Sequence, residues 1–260
     1  MTTTSLIGRA GTAPVCREPS LRSEQVTQLV LGETAQVLEQ HGEWRRVRLD
    51  LDRYEGWVHI GYALEVDHEI AAGWRETANA WSEGAVVLAE GAIVRLPVRA
   101  RVGLVLDRVD LPDGRQGRVI AGTITLREQV AARARHASPD LWAVKTFAGT
   151  PYQWGGVTPW GADCSGLVQT TFLARGIVLP RDAAQQVASG EAVAPGEHRP
   201  GDLLFFAERG DRIGHVAIAG ERDTLVHATL RCGGFVVEPW GPGTPAAVLR
   251  ERLVAVRRVR

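Results

Sequence analysis

The fold is decided by the stretch Asp163-Cys-Ser-Gly-Leu-Val-Gln169, which predicts the start of a helix that runs to about Arg175. Gly176 follows as its C-cap. A cysteine at the start of a helix faces unpaired backbone N–H groups and the positive end of the helix dipole. Both favour the nucleophilic thiolate, and the same N–H groups can hold an oxyanion. Cys164 is therefore a candidate nucleophile; the alternative is a small buried apolar side chain, the commoner fate of a free cysteine.

Helices precede this stretch and strands follow it. Glu128 to Ala137 is rich in helix formers, and Ser138-Pro-Asp140 is a start signal for a second helix through Phe147. Beyond the cysteine, runs of β-branched and aromatic residues predict an antiparallel sheet. Helices followed by such a sheet are typical of an α+β domain, which we predict over residues 128–260. The predicted strands are Asp202 to Phe206, His215 to Ala219, Leu225 to Ala228, Phe235 to Glu238 and Arg252 to Val259.

Two histidines lie on neighbouring predicted strands, on either side of a polar turn. If the loop spans Ala219 to Asp223, Ile218 faces Thr224 and His215 lies directly opposite His227. Facing residues of an antiparallel pair have Cβ atoms roughly 5 Å apart, so one imidazole can orient the other, as the base of a nucleophile requires. The alternative is a pair of edge-strand histidines without a task. A zinc site is disfavoured because no carboxylate pattern accompanies the two imidazoles.

An aromatic pair, Tyr152 and Trp154, lies in a Gly- and Pro-rich loop just before the cysteine. Aromatic side chains in a loop beside a nucleophile can line a cleft. The alternative is that the loop packs its rings on the core, which is at least as common. The residues by themselves leave both interpretations open.

Short β-rich runs separated by turn residues fill the N-terminal half, and this spacing predicts small barrels. Asp113-Gly-Arg-Gln-Gly-Arg-Val119 echoes Asp52-Arg-Tyr-Glu-Gly-Trp-Val58, which indicates a repeated domain. We therefore predict one barrel over residues 1–70 and a second over residues 71–127. The predicted strands are Gln25 to Leu31, Ala35 to Glu39, Trp44 to Leu49 and Gly56 to Ile60, then Ala85 to Leu88, Ala92 to Leu96, Arg101 to Val109 and Arg118 to Ile120.

The composition argues against several classes of function. The 260 residues carry no net charge, so the basic field of a nucleic-acid-binding protein is absent. Met1 to Arg9 lacks the apolar run of a secretory signal, and no stretch approaches the length of a membrane span. The three cysteines are far apart and odd in number, which gives neither a disulfide framework nor a zinc spacing. We expect a reduced, cytoplasmic setting with no metal, cofactor or membrane partner. The sequence does not indicate an oligomeric state.

Several motifs of the C-terminal half occur together and in a fixed order. In combination they resemble the NlpC-type family of cell-wall cysteine peptidases over residues from about 138 to 260. Gly32 to Glu39, Gly42 to Val47 and Tyr54 to Val58 resemble a bacterial SH3-like domain. Two such domains ahead of the peptidase resemble the γ-D-glutamyl-L-diamino acid endopeptidases. The peptidase motifs are Thr150-Pro-Tyr-Gln-Trp-Gly-Gly156, Asp163-Cys-Ser-Gly-Leu-Val-Gln169, Leu179-Pro-Arg-Asp182, Pro200-Gly-Asp-Leu-Leu-Phe-Phe206, Gly214-His-Val-Ala-Ile218 and His227-Ala228.

The resemblance implies a papain-like fold and a set of catalytic roles. Cys164 corresponds to the nucleophile, His215 to the general base and His227 to the member that orients the base. Tyr152 corresponds to a tyrosine whose hydroxyl lies beside the nucleophile. Trp154 corresponds to a wall of the substrate pocket.

The resemblance also implies how substrate is held. Asp163 and Ser165 correspond to residues that bind the free amino group of the substrate's N-terminal L-alanine. In these enzymes the first SH3-like domain roofs the pocket with an acidic and a tyrosine side chain. The candidates here are Glu24 with Tyr62 or Tyr54, and no motif fixes them.

One motif departs from the family pattern, because Ala183-Ala184 follows Arg181-Asp182 where a small hydroxyl residue is expected. Either a donor to the D-glutamate carboxylate is missing, or Arg181 serves instead. The implied activity is hydrolysis of the bond between γ-D-glutamate and an L-diamino acid, diaminopimelate or lysine, in murein peptides that are being recycled. The alternatives are a secreted hydrolase of intact wall, a non-catalytic wall-binding protein and an acyltransferase on the same scaffold.

Overall fold

The computed structural model describes residues 4–194 and 196–260, so the start of the segment inspected for a signal, Met1 to Thr3, lies outside the described residues. The chain forms two compact units, Met1–Val130 and Ala131–Arg260. The border falls within a helix, Arg127–His136, that begins beside the predicted border at residues 127 and 128. The predicted division of the first unit at residue 70 stays a prediction.

The first unit begins with a seven-stranded antiparallel sheet. Its strands are β1 Thr4–Gly8, β2 Thr12–Cys16, β3 Gln25–Val30, β4 Thr34–His41, β5 Trp44–Leu49, β6 Glu55–His59 and β7 Ala63–Asp67. They are ordered β3-β2-β6-β5-β4-β1-β7. Alternate side chains, among them Leu6, Val15, Leu29 and Val47, are fully buried and form one apolar cluster. The four strands predicted here are confirmed. One face of each strand is buried, so apolar and polar residues alternate along it, and this alternation made the strands predictable from the sequence.

The same unit contains a second seven-stranded sheet. Its strands are β8 Ala80–Ser82, β9 Val86–Ala89, β10 Ala92–Arg95, β11 Arg101–Val105, β12 Arg108–Asp110, β13 Gln116–Ala121 and β14 Ile124–Leu126. They are ordered β10-β9-β13-β12-β11-β8-β14. The run Arg101 to Val109, predicted as one strand, is a hairpin in which Val105 pairs with Arg108. The chain reverses at Leu106, which has a φ of 57°, outside the range of a β-strand. Its side chain is 94% exposed, so it has no packing contacts that would hold the run straight.

Both sheets are open, whereas the sequence predicted closed barrels. Barrel closure requires the two end strands to pair with each other. Within the described residues β3 pairs with β2, and β7 pairs with β1, so the first sheet ends at these strands. In the second sheet β10 and β14 are the end strands.

A helix that the sequence analysis did not predict, α1 His68–Thr77, follows β7. Its indole donor, Trp74 Nε1, bonds the carbonyl oxygen of Gly32 at 2.8 Å, and Arg75 forms an ion pair with Asp50 at 2.8 Å. These tertiary contacts, together with the buried Ala71, stabilise a segment whose glycine and threonine are poor helix formers.

The second unit places helices against a six-stranded antiparallel sheet, which is the predicted α+β order. Its helices are α2 Arg127–His136, α3 Pro139–Phe147, α4 Cys164–Leu173, α5 Ala183–Gln186 and α6 Val248–Glu251. Its strands are β15 Val157–Thr158, β16 Gly161–Ala162, β17 Glu191–Ala192, β18 Leu203–Arg209, β19 Arg212–Gly220, β20 Thr224–Thr229, β21 Gly234–Pro239 and β22 Leu253–Arg258. The large sheet is ordered β17-β22-β18-β19-β20-β21.

Both faces of this sheet are buried. Helix α4 packs its apolar residues, including Leu167 and Phe172, against the face that carries Val216 and Ile218. The opposite face carries Leu204, Ala217 and Leu225 and packs against Trp240. By alternation His215 and His227 lie on this second face. Among the helices of the described residues, none is long and apolar enough to cross a bilayer.

A buried ion pair joins the two sheets of the first unit. Arg99 Nε donates to Glu33 Oε1 at 2.7 Å, and the side chains are 1% and 3% exposed. The other carboxylate oxygen of Glu33 accepts the N–H of Val30 at 3.2 Å. Burying both charges carries a large desolvation cost, so the pair is stable only while both partners are present.

We expect Glu33→Ala to reduce the free energy of unfolding by about 3–5 kcal/mol, because it leaves the guanidinium of Arg99 buried without its carboxylate. Glu24→Ala is the matched control, since it breaks an ion pair with Arg17 in which the side chains are 37% and 65% exposed. The control should lose less than about 1 kcal/mol. Urea denaturation measures both values, and equal losses would contradict the assignment.

Candidate active site

The cysteine predicted as nucleophile is the first residue of α4. Asp163 is the N-cap of this helix, and its carboxylate accepts the N–H of Gly166 at 2.7 Å. The sulfur of Cys164 accepts hydrogen bonds from the backbone N–H groups of Val216 and Ser165. The helix start therefore points backbone donors at the sulfur, as the sequence predicted.

The donor from β19 is available because of how two strands separate. Strands β19 and β20 pair only over residues 218–220 of β19. The N–H of Val216 lies beyond this pairing and donates to Cys164 instead. The sulfur thus contacts the residue that follows His215 in the chain, where the two strands diverge.

The protonation state of the cysteine differs from the sequence expectation. Burial raises the pKa of Cys164 to about 12, and the negative charge of Asp163 acts in the same direction. The N–H donors and Arg181 lower the pKa, but by less than burial raises it. The expected thiolate is wrong for the unliganded protein, because desolvation outweighs the helix start. Cys164 therefore rests as the neutral thiol.

The two predicted histidines are in contact. His215 Nε2 and His227 Nδ1 are 2.7 Å apart. The predicted register is wrong by two residues, because Ala219 pairs with Leu225 and Gly220 with Thr224 across a tighter turn. A shift of two residues keeps both side chains on one face of the sheet, so the rings meet as diagonal rather than direct neighbours.

Both histidines rest uncharged. Burial lowers the pKa of His215 to about 3, and His227 lowers it further in the same direction. The pKa of His227 is also lowered, first by burial, while its hydrogen bond to Glu238 opposes the shift. A neutral imidazole can accept a proton from a thiol, which is what a general base must do.

The sequence analysis missed Glu238 and Arg231. His227 Nε2 lies 3.0 Å from Glu238 Oε1, and Arg231 Nη2 donates to the same oxygen. Glu238 pairs with Leu225 across β20 and β21, so it lies on the face of the histidines. The only sequence signal for Glu238 was its position as a single carboxylate at the end of the apolar run Phe235 to Val237.

The carboxylate of Asp163 is occupied by protein donors. Oδ1 accepts from the N–H of Gly166 at 2.7 Å and from the hydroxyl of Ser165 at 3.2 Å. Oδ2 accepts from the N–H of Gly155 at 2.8 Å. Arg181 donates to both oxygens, at 3.1 and 2.6 Å. Asp163 therefore caps the helix, and the predicted ammonium binding stays a prediction.

Arg181 is 1% exposed and also donates to Ser165 Oγ at 2.7 Å. Its guanidinium is thus committed to Asp163 and Ser165, two of the residues predicted to bind substrate. The predicted contact of Arg181 with a substrate carboxylate stays a prediction. Within the protein its guanidinium pairs with the carboxylate of Asp163.

The aromatic loop is joined by a backbone hydrogen bond to the residue that precedes β21. The N–H of Tyr152 donates to the carbonyl of Gly233 at 2.8 Å. Burial raises the pKa of Tyr152, and the charges of Cys164 and Asp163 raise it further, so the phenol lies near both. Trp154 is 59% exposed, and its predicted role as a wall of the substrate pocket stays a prediction.

Helix α4 approaches this loop closely through glycine. A Cβ at Gly166 would lie 2.0 Å from the carbonyl oxygen of Gly156. No side chain fits at this distance, so Gly166 is required by a contact between two backbones. The motif Asp163-Cys-Ser-Gly166 thus contains both a donor arrangement and a packing constraint.

Comparison with known proteins identifies the domain that holds the site. A model of the NlpC/P60 family matches residues 149–242, which include Tyr152, Cys164 and both histidines. Residues 149–242 form an NlpC/P60 domain. A second model, the bacterial dipeptidyl-peptidase Sh3 domain, matches residues 15–61. This match covers most of the strands of the first predicted SH3-like domain.

Two relatives of this chain carry the same name. The chain is 28% identical over 222 residues to a gamma-D-glutamyl-L-lysine dipeptidyl-peptidase of Bacillus cereus, covering 78% of the chain and 66% of that protein. A protein of the same name from Bacillus subtilis is 40% identical over 84 residues, 32% of the chain and 28% of that protein. The chain thus spans less than two thirds of the length of these relatives.

A solved structure shares the fold. The crystal structure of an NlpC/P60 family protein from Bacillus cereus ATCC 10987 superposes with a TM-score of 0.77 and covers 98% of this chain and 99% of that one. The sequence identity is 21%, so the likeness concerns the fold.

Two predicted site residues lie in the first unit. Glu24 is exposed and accepts from Arg17 Nε at 2.7 Å. Tyr62 is half-buried, packs against the core of the first sheet and meets the ring of His59 edge-on. Their predicted contacts with substrate stay predictions.

We expect iodoacetamide at pH 7 to modify Cys232 before Cys164. Alkylation requires an accessible thiolate, whereas Cys164 is buried and has a pKa of about 12; Cys232 is exposed. Peptide mapping by mass spectrometry at short reaction times measures the order. In the control variant Cys232→Ser, early labelling should largely disappear. Faster labelling of Cys164 than of Cys232 would show that the resting site holds a thiolate.

We expect the stability of the protein to fall as the pH decreases from about 6.5 towards 3. Over this window the unfolded chain protonates His215 while the folded protein, with a pKa of about 3, does not. His215→Gln removes this contribution, so the free energy of unfolding should depend less steeply on pH in the variant. Urea denaturation at pH 4.5 and 7.5 compares the two slopes, and equal slopes would mean that His215 is not buried as a neutral ring.

Proposed function

We propose that this protein is a cysteine peptidase that hydrolyses the bond between γ-D-glutamate and an L-diamino acid in free murein peptides. The observation that carries the proposal is a combination of two features: Cys164 at the start of α4, bonded by the N–H of Val216 that follows His215 in the chain, and the hydrogen-bonded pair His215 and His227. Nucleophile, base and orienting group are the components of covalent acyl transfer.

The proposed substrate is supported by the names of relatives. Two of them are gamma-D-glutamyl-L-lysine dipeptidyl-peptidases, and one of these aligns over 78% of the chain. A dipeptidyl-peptidase releases a dipeptide from a free N-terminus, which agrees with the proposed requirement for N-terminal L-alanine. We propose L-lysine or diaminopimelate as the residue that follows the cut, and recycling of wall peptides as the setting.

The mechanism begins from two neutral groups. The sulfur of Cys164 attacks the γ-carbonyl carbon of D-glutamate while its proton moves to His215. Charge develops on the carbonyl oxygen, where N–H groups at a helix start can stabilise it. His215 then gives the proton to the departing amine, and the C–N bond breaks. Water, deprotonated by His215, attacks the thioester and releases the dipeptide together with the thiol.

The neutral starting pair has an advantage in a buried site. An ion pair of thiolate and imidazolium would need both charges to be desolvated in the free enzyme. Transferring the proton only as the sulfur attacks postpones this charge separation to the transition state, where developing charge is stabilised by fixed donors. His227 hydrogen-bonds His215 and so keeps the ring in the orientation that proton transfer requires.

We expect the wild-type protein to release lysine from L-Ala-γ-D-Glu-L-Lys and diaminopimelate from the corresponding peptide. Cys164→Ala should abolish release, since no other group supplies the nucleophile. Cys16→Ala and Cys232→Ala are the controls and should keep activity. Amino-acid analysis of the products measures all four proteins. A Cys164→Ala variant as active as wild type would overturn the proposal.

The same assay separates recycling from hydrolysis of intact wall. N-acetylated tripeptide and purified peptidoglycan are supplied in parallel with the free tripeptide, and kcat/KM is measured for each. We expect kcat/KM for the free tripeptide to exceed that for the acetylated one by at least roughly tenfold, because acetylation removes one charge-assisted hydrogen bond of the amino group. Comparable values for the two tripeptides, or efficient release from intact wall, would favour the wall hydrolase instead.

A further inference from the structure

We propose that Glu238, held by Arg231, is a positioning residue that determines which ring nitrogen of His215 acts as the base. The proposal concerns the proton arrangement of four side chains that follow one another in contact: Arg231, Glu238, His227 and His215. It depends on the proposed function only where its test uses peptide hydrolysis.

The first step concerns the charge on Glu238. The carboxylate is 8% exposed and accepts from Arg231 Nη2, so it has a permanent cation as partner. An ionised carboxylate can only accept hydrogen bonds. Glu238 Oε1 lies 3.0 Å from His227 Nε2, so this nitrogen must carry the hydrogen.

The second step follows from the tautomers of neutral imidazole. A neutral ring carries one hydrogen, so a proton on Nε2 of His227 leaves its Nδ1 as an acceptor. His215 Nε2 is 2.7 Å from that acceptor and must therefore donate. The free lone pair of His215 is then on Nδ1. The carboxylate thus assigns, through two rings, the nitrogen that receives the thiol proton.

Burial makes this assignment stable. His227 is 1% exposed, and its Nε2 lies against the carboxylate of Glu238. Burying a carboxylate is costly unless it is paired and hydrogen-bonded, and Glu238 has both an arginine and an imidazole. An apolar residue of similar volume at position 238 would pack on β21 without the desolvation cost of a buried charge. Packing alone therefore does not explain a glutamate at this position.

A cavity gives access to these partners. It has a volume of about 290 Å³ and is lined by His215, His227 and Arg231, with Pro245 and Leu249 among its apolar residues. A small carboxylate that enters this cavity reaches the groups that Glu238 contacts. Removing the side chain of Glu238 therefore creates a site that formate or acetate can occupy.

The kinetic test compares three substitutions with a matched control, using the tripeptide that wild type cleaves. Glu238→Ala should lower kcat at least roughly tenfold, as lost orienting partners do, and should leave KM unchanged. Added formate should restore part of kcat in Glu238→Ala but none in His227→Ala. Glu238→Gln keeps an acceptor oxygen and should lose less. Glu191→Ala, which removes an exposed partner of Arg260, should behave as wild type.

Full kcat in folded Glu238→Ala, or a loss confined to KM, would overturn the proposal. A loss of kcat that formate does not restore would indicate that Glu238 serves only the fold.

A spectroscopic test needs neither a variant nor a substrate. In ¹⁵N-histidine-labelled wild type at pH 7, we expect proton-bearing Nε2 and bare Nδ1 for both His215 and His227. Nδ1–H on either ring would overturn the proposal. If wild type fails to cleave the tripeptide while this tautomer pattern holds, the proposed function is wrong and the positioning role of Glu238 stands.

Discussion

The buried carboxylate of Asp163 is the interaction on which the catalytic unit depends. It caps α4 through Gly166, holds the aromatic loop through Gly155 and is the counterion of the buried Arg181. Three segments of the chain therefore meet at this one group: the start of α4, the aromatic loop and the segment that carries Arg181. An unpaired buried charge is costly. If any one of these segments moved away, Asp163 would lose a partner inside the protein, so the three segments hold one another in place. A substrate ammonium at Asp163 would have to share it with Arg181, which limits what this group can contribute to affinity.

Burial around the sulfur and the histidines sets the chemistry. It keeps the thiol protonated and the imidazoles neutral at rest, against the tendency of the helix start to favour a thiolate. In the proposed mechanism the cysteine stays unreactive until a carbonyl is in place, and a protonated thiol is also less sensitive to oxidation. In this mechanism the sulfur becomes a strong nucleophile only when His215 accepts its proton. The contacts of His215 with His227, and of His227 with Glu238, therefore matter as much as the contacts of the sulfur.

The sequence predicted the parts of the molecule that follow from local rules. The helix after Asp163, the helices before it and the alternating strands around His215 all carry period or capping signals, and all are present. The contact between His215 and His227 was predicted from a wrong register, and succeeded because a shift of two residues preserves the face.

What the sequence did not predict depends on tertiary context. The charge state of Cys164 follows from desolvation by distant residues, and Glu238 reaches His227 only through pairing between β20 and β21. Helix α1 is stabilised by contacts of Trp74 and Arg75 with the first sheet rather than by its own propensity. Closed barrels were expected because strand spacing does not reveal whether the two end strands meet.

The close approach of Gly166 to Gly156 has a consequence for molecular recognition. Because the helix start and the neighbouring loop touch backbone to backbone, this contact contains no side-chain torsion that could be fixed when a ligand arrives. Immobilising a flexible side chain at an interface typically costs about 0.5–1.5 kcal/mol. In the proposed mechanism the substrate binds beside the start of α4, so this part of its surroundings would add no such cost, and its shape is set at the time of folding.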